Sequence, residues 1–537
     1  MEESNHENSG ATGMNNSTSL ARVIVRQTIE AGITDVVVSP GSRNAPLSLA
    51  FFAASKRGLI KLHVRIDERT AAFFALGIIK ATGRPVPIVC TSGTAVANYH
   101  PAVLEASHTN APLLVLTADR PAILRKTGAN QTTEQARIYG KAVRYFADID
   151  GPVFPMELPF DSLRNGPVHL NVQFDEPMLP DDSDQWLDEI KVSAKAFETR
   201  TKPTTLKSDA NRGVLVIGHD RGGLNVESVR KFAKELGWPI IAEDPLTFVD
   251  AVAHASIFLT SAQIRAALIP QTVIVIGRTT LSRSINMFLK LAPTQIVIDP
   301  RMATVDSDRH ADKRFTQIPE LKTHKASPEW LEQWDKYADR CAKNIDDLTG
   351  FTEAVIAKEI AANLPEGSTL FVSSSRPIRD LEGFATPRSG VTTHANRGLA
   401  GIDGNISTAL GIASASKQTF AVLGDLSFLH DLTGLIHHEE INCAFIVINN
   451  DGGGIFSTLP QRDVDGFESV FGTPHGLDPA AIAKAMGISA STISSVDELK
   501  KTLKAPVKGI SITVANVPSR DQNADSLKAI YESMNSI

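Results

Sequence analysis

The run Phe420-Ala421-Val422-Leu423 ends in Gly424-Asp425-Leu426, and Ala444-Phe445-Ile446-Val447-Ile448 ends, about 25 residues later, in Asn449-Asn450-Asp451-Gly452-Gly453. Short apolar runs closed by turn residues read as buried strands. Two parallel strands need a crossover of a dozen or more residues, and the intervening segment is long enough for a crossover helix. The pair then sets one carboxylate and one carboxamide at neighbouring strand tips, the end of an open α/β sheet where ligands bind. Oxygen donors of this kind suit Mg²⁺, which keeps positions for phosphate and water. The spacing therefore predicts a metal–diphosphate clamp, with Asp425 and Asn450 as side-chain ligands and a carbonyl near Gly452 as a third oxygen. Gly-Asp and Asn-Asn-Asp-Gly-Gly are also ordinary turn chemistry; strand placement and spacing favour the clamp. Gly452-Gly453-Gly454 is not followed by Lys-Ser/Thr, so it is no P-loop, and it lacks the third glycine of a dinucleotide fingerprint. Close backbone approach to a ligand is its expected use.

Working outward, residues 18–180 alternate helical and strand-like segments. Leu20 to Ala31 and Thr70 to Lys80 have helical spacing. Asp35–Val38, His63–Ile66, Val86–Cys90 and Leu113–Leu116 read as strands. Residues 181–210 are charged and rich in Pro, Ser and Thr, which predicts a linker. A central α/β unit over 211–345 has candidate strands at 214–217, 239–242, 273–276 and 295–298. The polar stretch 318–350 reads as a connector. A third unit, 351–537, adds strands at 370–372 and 509–514 to the opening pair. Strands alternating with helices predict an α/β protein of three doubly wound parallel-sheet domains.

The chain has 537 residues, too many for one core, so about two to four domains are expected. A net charge of −6 argues against a general nucleic-acid binder. Cys90, Cys341 and Cys443 form no CxxC, so neither a zinc site nor a disulfide framework is indicated, and a cytoplasmic setting fits. No apolar stretch of about 18 residues predicts a membrane span. Residues 1–17 are polar without an apolar core, and read as a disordered tail rather than a secretory signal.

Glu68 follows the strand-like 63–66 run and precedes a helix. It reads either as an acid on the helix dipole or as a carboxylate with a ligand to hold. His394, His437 and His438 are assigned no role.

Together these features resemble the thiamine-diphosphate enzymes. Further blocks narrow the resemblance: Ser39-Pro40-Gly41-Ser42-Arg43-Asn44, Asp67-Glu68-Arg69, Thr117-Ala118-Asp119-Arg120-Pro121, Gly128-Ala129-Asn130-Gln131, Asn396 through Gly404 and Asn449 through Phe456. They resemble the menaquinone-pathway 2-succinyl-5-enolpyruvyl-6-hydroxy-3-cyclohexene-1-carboxylate synthase family over nearly the whole chain, least in the middle. Two positions depart from the usual pattern: Leu426 replaces a glycine, and Asp451 replaces a third asparagine and adds negative charge near the metal.

The resemblance implies thiamine diphosphate and Mg²⁺ (or Mn²⁺) at the interface of a homodimer, free or within a homotetramer. The N-terminal unit of one subunit would face the C-terminal unit of the other. Glu68 would hydrogen-bond the aminopyrimidine. Ser375, Gly424, Asp425, Leu426, Asn450 and Gly452 would hold the diphosphate end, with Ile402 as apolar prop and Ile455, Phe456 and Leu459 as apolar wall. The implied reaction is decarboxylation of 2-oxoglutarate and addition of the remaining succinyl unit to isochorismate. Both substrates carry two carboxylates, which arginine forks match. A single arginine is ordinarily a solvated surface charge; the matching blocks single out Ser42, Arg43, Arg120 and Gln131 for isochorismate, and Arg379 and Arg397 for the 2-oxoglutarate end. Arg283 adds a contact from the central unit. Glu68, Arg43, Gln131 and Arg397 are the expected catalytic group. An acetolactate-synthase-like or other 2-oxo-acid decarboxylase keeps the cofactor and changes the substrate. A non-catalytic scaffold would not need Glu68.

Overall fold

The structure, a computed structural model, describes residues 16–151, 157–180, 185–192, 204–301, 311–436 and 439–536. Most of the expected N-terminal tail, half of the expected linker and His437-His438 lie outside these residues.

Three large sheets, each wholly parallel, organise the chain. The first has six strands in the spatial order Lys61–Val64, Asp35–Val38, Val86–Cys90, Leu113–Asp119, Val168–Gln173, Tyr145–Ile149. The central sheet orders Lys313–Phe315, Thr294–Ile298, Thr272–Ile276, Gly213–Ile217, Ile240–Ala242. The third orders Val391–His394, Ser368–Val372, Thr419–Gly424, Cys443–Asn449, Ile510–Asn516, Ser489–Ile493. Numbered by their own sequence, the first and third sheets share one strand order, 2-1-3-4-6-5.

Strand periodicity builds a core on each face of every sheet. Val37 packs into one apolar cluster while Val36 and Val38 enter another. In the third sheet Ala421 and Leu423 face one way, Phe420 and Val422 the other. Each fully buried aliphatic or Phe side chain contributes about 1.5–3 kcal/mol. Thr419–Gly424 and Cys443–Asn449 are neighbours in register from Thr419↔Cys443 to Gly424↔Ile448. The opening reading of two adjacent parallel tips describes the structure. The crossover between them is a short helix, Asp425–His430, and a 3₁₀ turn, Leu432–Leu435, rather than one long helix.

The first and third sheets are joined by one helix crossing. Helix Glu68–Thr82 starts at Asp67, whose carboxylate accepts from Arg69 N (2.9 Å) and Thr70 N (3.4 Å), and ends at Gly83 with φ +68°. It packs on helix Asn405–Ala413. A β-carbon on Gly77 would lie 2.2 Å from the Thr408 carbonyl, and one on Gly411 2.0 Å from that of Phe74. Two glycines thus let the backbones touch, and residues of both units share one apolar cluster.

The 318–350 stretch is not a connector. Its polar composition hides an amphipathic helix, Pro328–Asp346, capped by Ser327 and burying Trp330, Trp334, Cys341 and Ile345. Trp334 is edge-on to Phe258, Phe288 and Trp330. Within the expected linker, Thr205–Ser208 is a strand paired in parallel with Glu320–Thr323.

Candidate active site

Asp425 opens the 425–430 helix and is 2% exposed. Its Oδ1 accepts from Leu426 N at 2.7 Å. Its Oδ2 accepts from Gly452 N at 2.9 Å and Asn450 N at 3.2 Å, with His475 Nε2 at 3.3 Å. Leu477 N donates to His475 Nδ1 at 3.0 Å, so the Nε2–H faces the carboxylate. Burial raises the Asp425 pKa, and the amides of Gly452 and Leu426, with His475, offset part of that rise.

Asn450 Nδ2 donates to Glu353 Oε1 at 2.6 Å. Its Oδ1 is buried with no hydrogen-bond partner. Gly452, at φ +133°, presents a carbonyl that accepts once, from Gly454 N at 3.0 Å. A carbonyl or amide oxygen has two lone pairs. One carboxylate, one orphaned amide oxygen and one half-used carbonyl are a donor set fitted to a hard cation that keeps positions for phosphate and water. Among the described residues no cluster of three or more His, Cys, Asp and Glu could hold a metal, so the donors here are of mixed amide, carbonyl and carboxylate type. The Asp451 carboxylate accepts from His475 N (3.0 Å) and Gly476 N (2.8 Å), which folds the 475–476 loop onto the site.

The remaining expected residues of this unit divide between the Asp425 helix, the tips of the same sheet and a separate cavity. The Ile402 carbonyl accepts from Ser427 Oγ at 3.1 Å, on the same helix as Asp425. Open space lies beside Gly424, where a β-carbon would meet nothing within 4 Å. Ser375 holds φ +73°, rare for a residue with a side chain, at the tip of strand Ser368–Val372. That strand and Thr419–Gly424 flank the point where strand order reverses, the position at which such sheets bind ligands. Phe456 packs on Phe471 with centroids 5.5 Å apart. A cavity of about 290 Å³ brings together Arg283, Arg379, Ile455 and Leu459 with Arg376 and Asp380. Arg379 Nη1 donates to the Ser375 carbonyl at 2.5 Å.

Arg397 is 2% exposed. Its Nε donates to Glu243 Oε1 at 2.9 Å, and Nη2 lies 2.8 Å from the same oxygen. The sequence points it at a substrate carboxylate; the fold gives it a carboxylate of the protein's own.

The N-terminal candidates form a second group at the tips of the first sheet. Arg43 N donates to Thr91 Oγ1 (3.3 Å) and its Nη1 to the Phe174 carbonyl (3.0 Å). Arg120 Nε donates to the Asn130 carbonyl at 2.7 Å. Burial, then the charge of Arg120, lowers the Arg43 pKa, as for two cations sharing one mouth. Gln131, at φ +58°, offers its carbonyl to Ser92 Oγ at 2.9 Å, and Ser42 is exposed. Glu68 is half-buried at the start of its helix, 3.5 Å from Asn98 Nδ2. No hydrogen bond or ion pair among the described residues links Glu68 to Asp425 or Asn450. Exposed Val64 and Ile66, at 45% and 63%, flank its approach.

Residues 18–138 match the thiamine pyrophosphate enzyme N-terminal TPP-binding domain, 180–372 the middle domain of thiamine pyrophosphate enzymes, and 380–517 the C-terminal TPP-binding domain. The chain is 39% identical over 91% of its length, and 94% of the relative's, to the 2-succinyl-5-enolpyruvyl-6-hydroxy-3-cyclohexene-1-carboxylate synthase of Thermobifida fusca. It is 39% identical to that of Nocardioides sp., covering 95% and 96%. The Halorubrum lacusprofundi synthase is 34% identical, covering 90% of each chain. The chain belongs to this synthase family.

Against that family, three features escape sequence reasoning. Glu353 lies far from the Asn450 motif in sequence and belongs to no block. His475 follows Thr473-Pro474, where turn chemistry is the ready explanation. His394 is half-buried, and desolvation pushes its pKa down to about 3. It lines a larger cavity of about 710 Å³ that contains none of the expected site residues.

Proposed function

We propose that this chain decarboxylates 2-oxoglutarate with thiamine diphosphate and adds the four-carbon remainder to isochorismate, as its family membership indicates. The observation that carries the reading at the site is the orphaned Asn450 Oδ1 beside Asp425 at adjoining strand tips. Asp425, Asn450 and the Gly452 carbonyl would hold Mg²⁺ or Mn²⁺, Ser375, Gly424 and Leu426 would shape the diphosphate cradle, and Ile402, Ile455, Phe456 and Leu459 would form its apolar side. The cofactor supplies the electron sink for loss of CO₂. Glu68 holds a proton at the aminopyrimidine ring. Arg283 and Arg379, lining one cavity, orient the 2-oxoglutarate carboxylates, and Arg397, held by Glu243, backs that end. Ser42, Arg43, Arg120 and Gln131 orient isochorismate.

The two groups of residues meet across two copies of the chain, so that Glu68 of one copy completes the Asp425 site of the other. The exposed apolar residues Val64 and Ile66 beside Glu68 support this. The chain is divided functionally into a pyrimidine unit (18–180), a central unit (211–345) and a diphosphate unit (351–537). No helix among the described residues is long and apolar enough to cross a membrane. The three cysteines are buried and free, which fits a reducing cytoplasm.

Incubation with thiamine diphosphate, Mg²⁺, 2-oxoglutarate and isochorismate tests the reading. The expected product has the mass of both substrates less CO₂. CO₂ release with isochorismate untouched would point to the acetolactate-synthase-like alternative.

A further inference from the structure

The unpartnered Asn450 Oδ1 raises the question of what decides which way the amide faces. Glu353 opens helix Glu353–Asn363 and is 6% exposed, so it is not simply an exposed acid on a helix dipole. Both of its oxygens are engaged by side chains. Oε1 accepts from Asn450 Nδ2 at 2.6 Å, and Oε2 lies 3.3 Å from Arg376 Nε. Arg376 in turn pairs with Asp380. Gly454 backbone also closes on the Nδ2 edge of the Asn450 amide: a β-carbon there would lie 2.3 Å from Nδ2 and 3.4 Å from Oδ1.

An ionised carboxylate accepts and never donates, so only the Nδ2 edge of Asn450 can face Glu353. The opposite edge must then present Oδ1. We propose that Glu353, held by Arg376, is a positioning residue that fixes the Asn450 amide with its oxygen toward the cation. This rests on Asn450 being a metal ligand. Without Glu353 the amide is free to turn, and half of its orientations offer the cation an NH₂ group. Outer partners that orient metal ligands typically carry 10- to 100-fold in metal affinity. Arg376 and Asp380 also line the 290 Å³ cavity, so the same ion pairs tie its wall to the metal ligand.

The test measures the Mg²⁺ concentration that half-saturates thiamine diphosphate binding, read by near-ultraviolet circular dichroism without substrate, beside the melting of the cofactor-free protein. Glu353→Ala is expected to raise that concentration about 10- to 100-fold. Glu353→Gln keeps the shape but has one acceptor for two donors; Arg376, which can only donate, claims that oxygen and leaves an NH₂ facing Asn450, so this variant is expected to raise the concentration as well, by about 10-fold or more. If the alanine protein does not fold, Glu353→Met fills the volume without an acceptor and carries the same expectation. Because Glu353 acts through Asn450, adding Glu353→Ala to Asn450→Ala should change little beyond Asn450→Ala alone. Parent-like Mg²⁺ dependence in Glu353→Ala or in Glu353→Gln, or multiplying losses in the double variant, would each overturn the inference alone. An unaffected Asn450→Ala protein would instead remove Asn450 from the metal site, and the inference with it.

Discussion

Replacing Arg397 with alanine separates two roles that one arginine can play. In a substrate site its loss raises KM and leaves the fold alone. The structure places its guanidinium 2% exposed against Glu243, itself 1% exposed, with contacts of 2.9 and 2.8 Å. Among the described residues, Glu243 keeps only His219 N as a donor, at 3.0 Å on Oε2, when the arginine is gone. Nearby Glu382 is buried too, and burial, then the charge of Glu243, raises its pKa. Breaking a buried pair from one side costs about 3–5 kcal/mol. At about 2–4 °C per kcal/mol for a unit of 150–250 residues, the melting transition should fall by roughly 6–20 °C. Glu243→Gln added to Arg397→Ala removes the stranded charge and should recover at least half of that loss. Differential scanning fluorimetry of the cofactor-free protein reads both. A melting point within about 2 °C of the parent, together with a raised KM for 2-oxoglutarate, would refute the reasoning and return Arg397 to direct substrate contact.

Glu68→Gln should bind thiamine diphosphate within a few-fold of the parent and lose about 10²–10⁴-fold in turnover, the span of a proton-transfer group; steady-state rates beside a cofactor titration decide, and full turnover discards the assignment. His63 is fully buried between Asp35 (3.1 Å) and Glu439 (2.7 Å) and so clamps the first and third units together. Burial opposes its charge, but hydrogen bonds to Asp35 and Glu439 raise its pKa, while burial fails to prevent its hydrogen bonds from lowering theirs. The histidine's contribution is complete below about pH 6.5 and lost as pH rises through its folded value; the carboxylates contribute above about pH 4.5 and lose that as pH falls through theirs. The parent's melting point should therefore drop between pH 6 and 8.5 more than that of His63→Gln, and parallel curves would exclude the clamp. Gly77→Ala, with a β-carbon 2.2 Å from the Thr408 carbonyl, should cost about 1–3 kcal/mol or more in a thermal or urea melt; an unchanged melt would mean the two helices do not touch there.

The parallel-sheet architecture was legible because buried strands are apolar on both faces and read as unbroken runs, as at 420–423 and 444–448. The 328–346 helix was not, because Trp330, Trp334, Cys341 and Ile345 form a thin stripe among charged residues. At the site, local motifs were enough to place Asp425 and Asn450 at adjoining strand tips, whereas Asp67-Glu68-Arg69 reads equally well as acids on a helix dipole, and only the resemblance singled out Glu68. Glu353, Glu243 and His475 act on those motifs across sequence gaps of tens to hundreds of residues, and no local pattern marks a residue whose partner is supplied only by folding. Arg397 shows the converse. Its block marked it as important, but only the burial of Glu243 shows what its charge meets.

The shared strand order of the first and third sheets makes their tips comparable place by place. Where the third sheet's fourth strand delivers Asn450, the first sheet's delivers Arg120; where its first strand delivers Ser375, the other's leads into Ser42 and Arg43. At the fourth strand the repeated scaffold thus carries an amide oxygen at one mouth and a guanidinium at the other, while at the first strand both copies lead into a serine followed by an arginine, Ser375-Arg376 and Ser42-Arg43. A mutation that swaps chemistry between equivalent tips keeps the backbone's geometry and inverts what the mouth attracts, which makes this chain a suitable host for redesigning ligand preference without redesigning a fold.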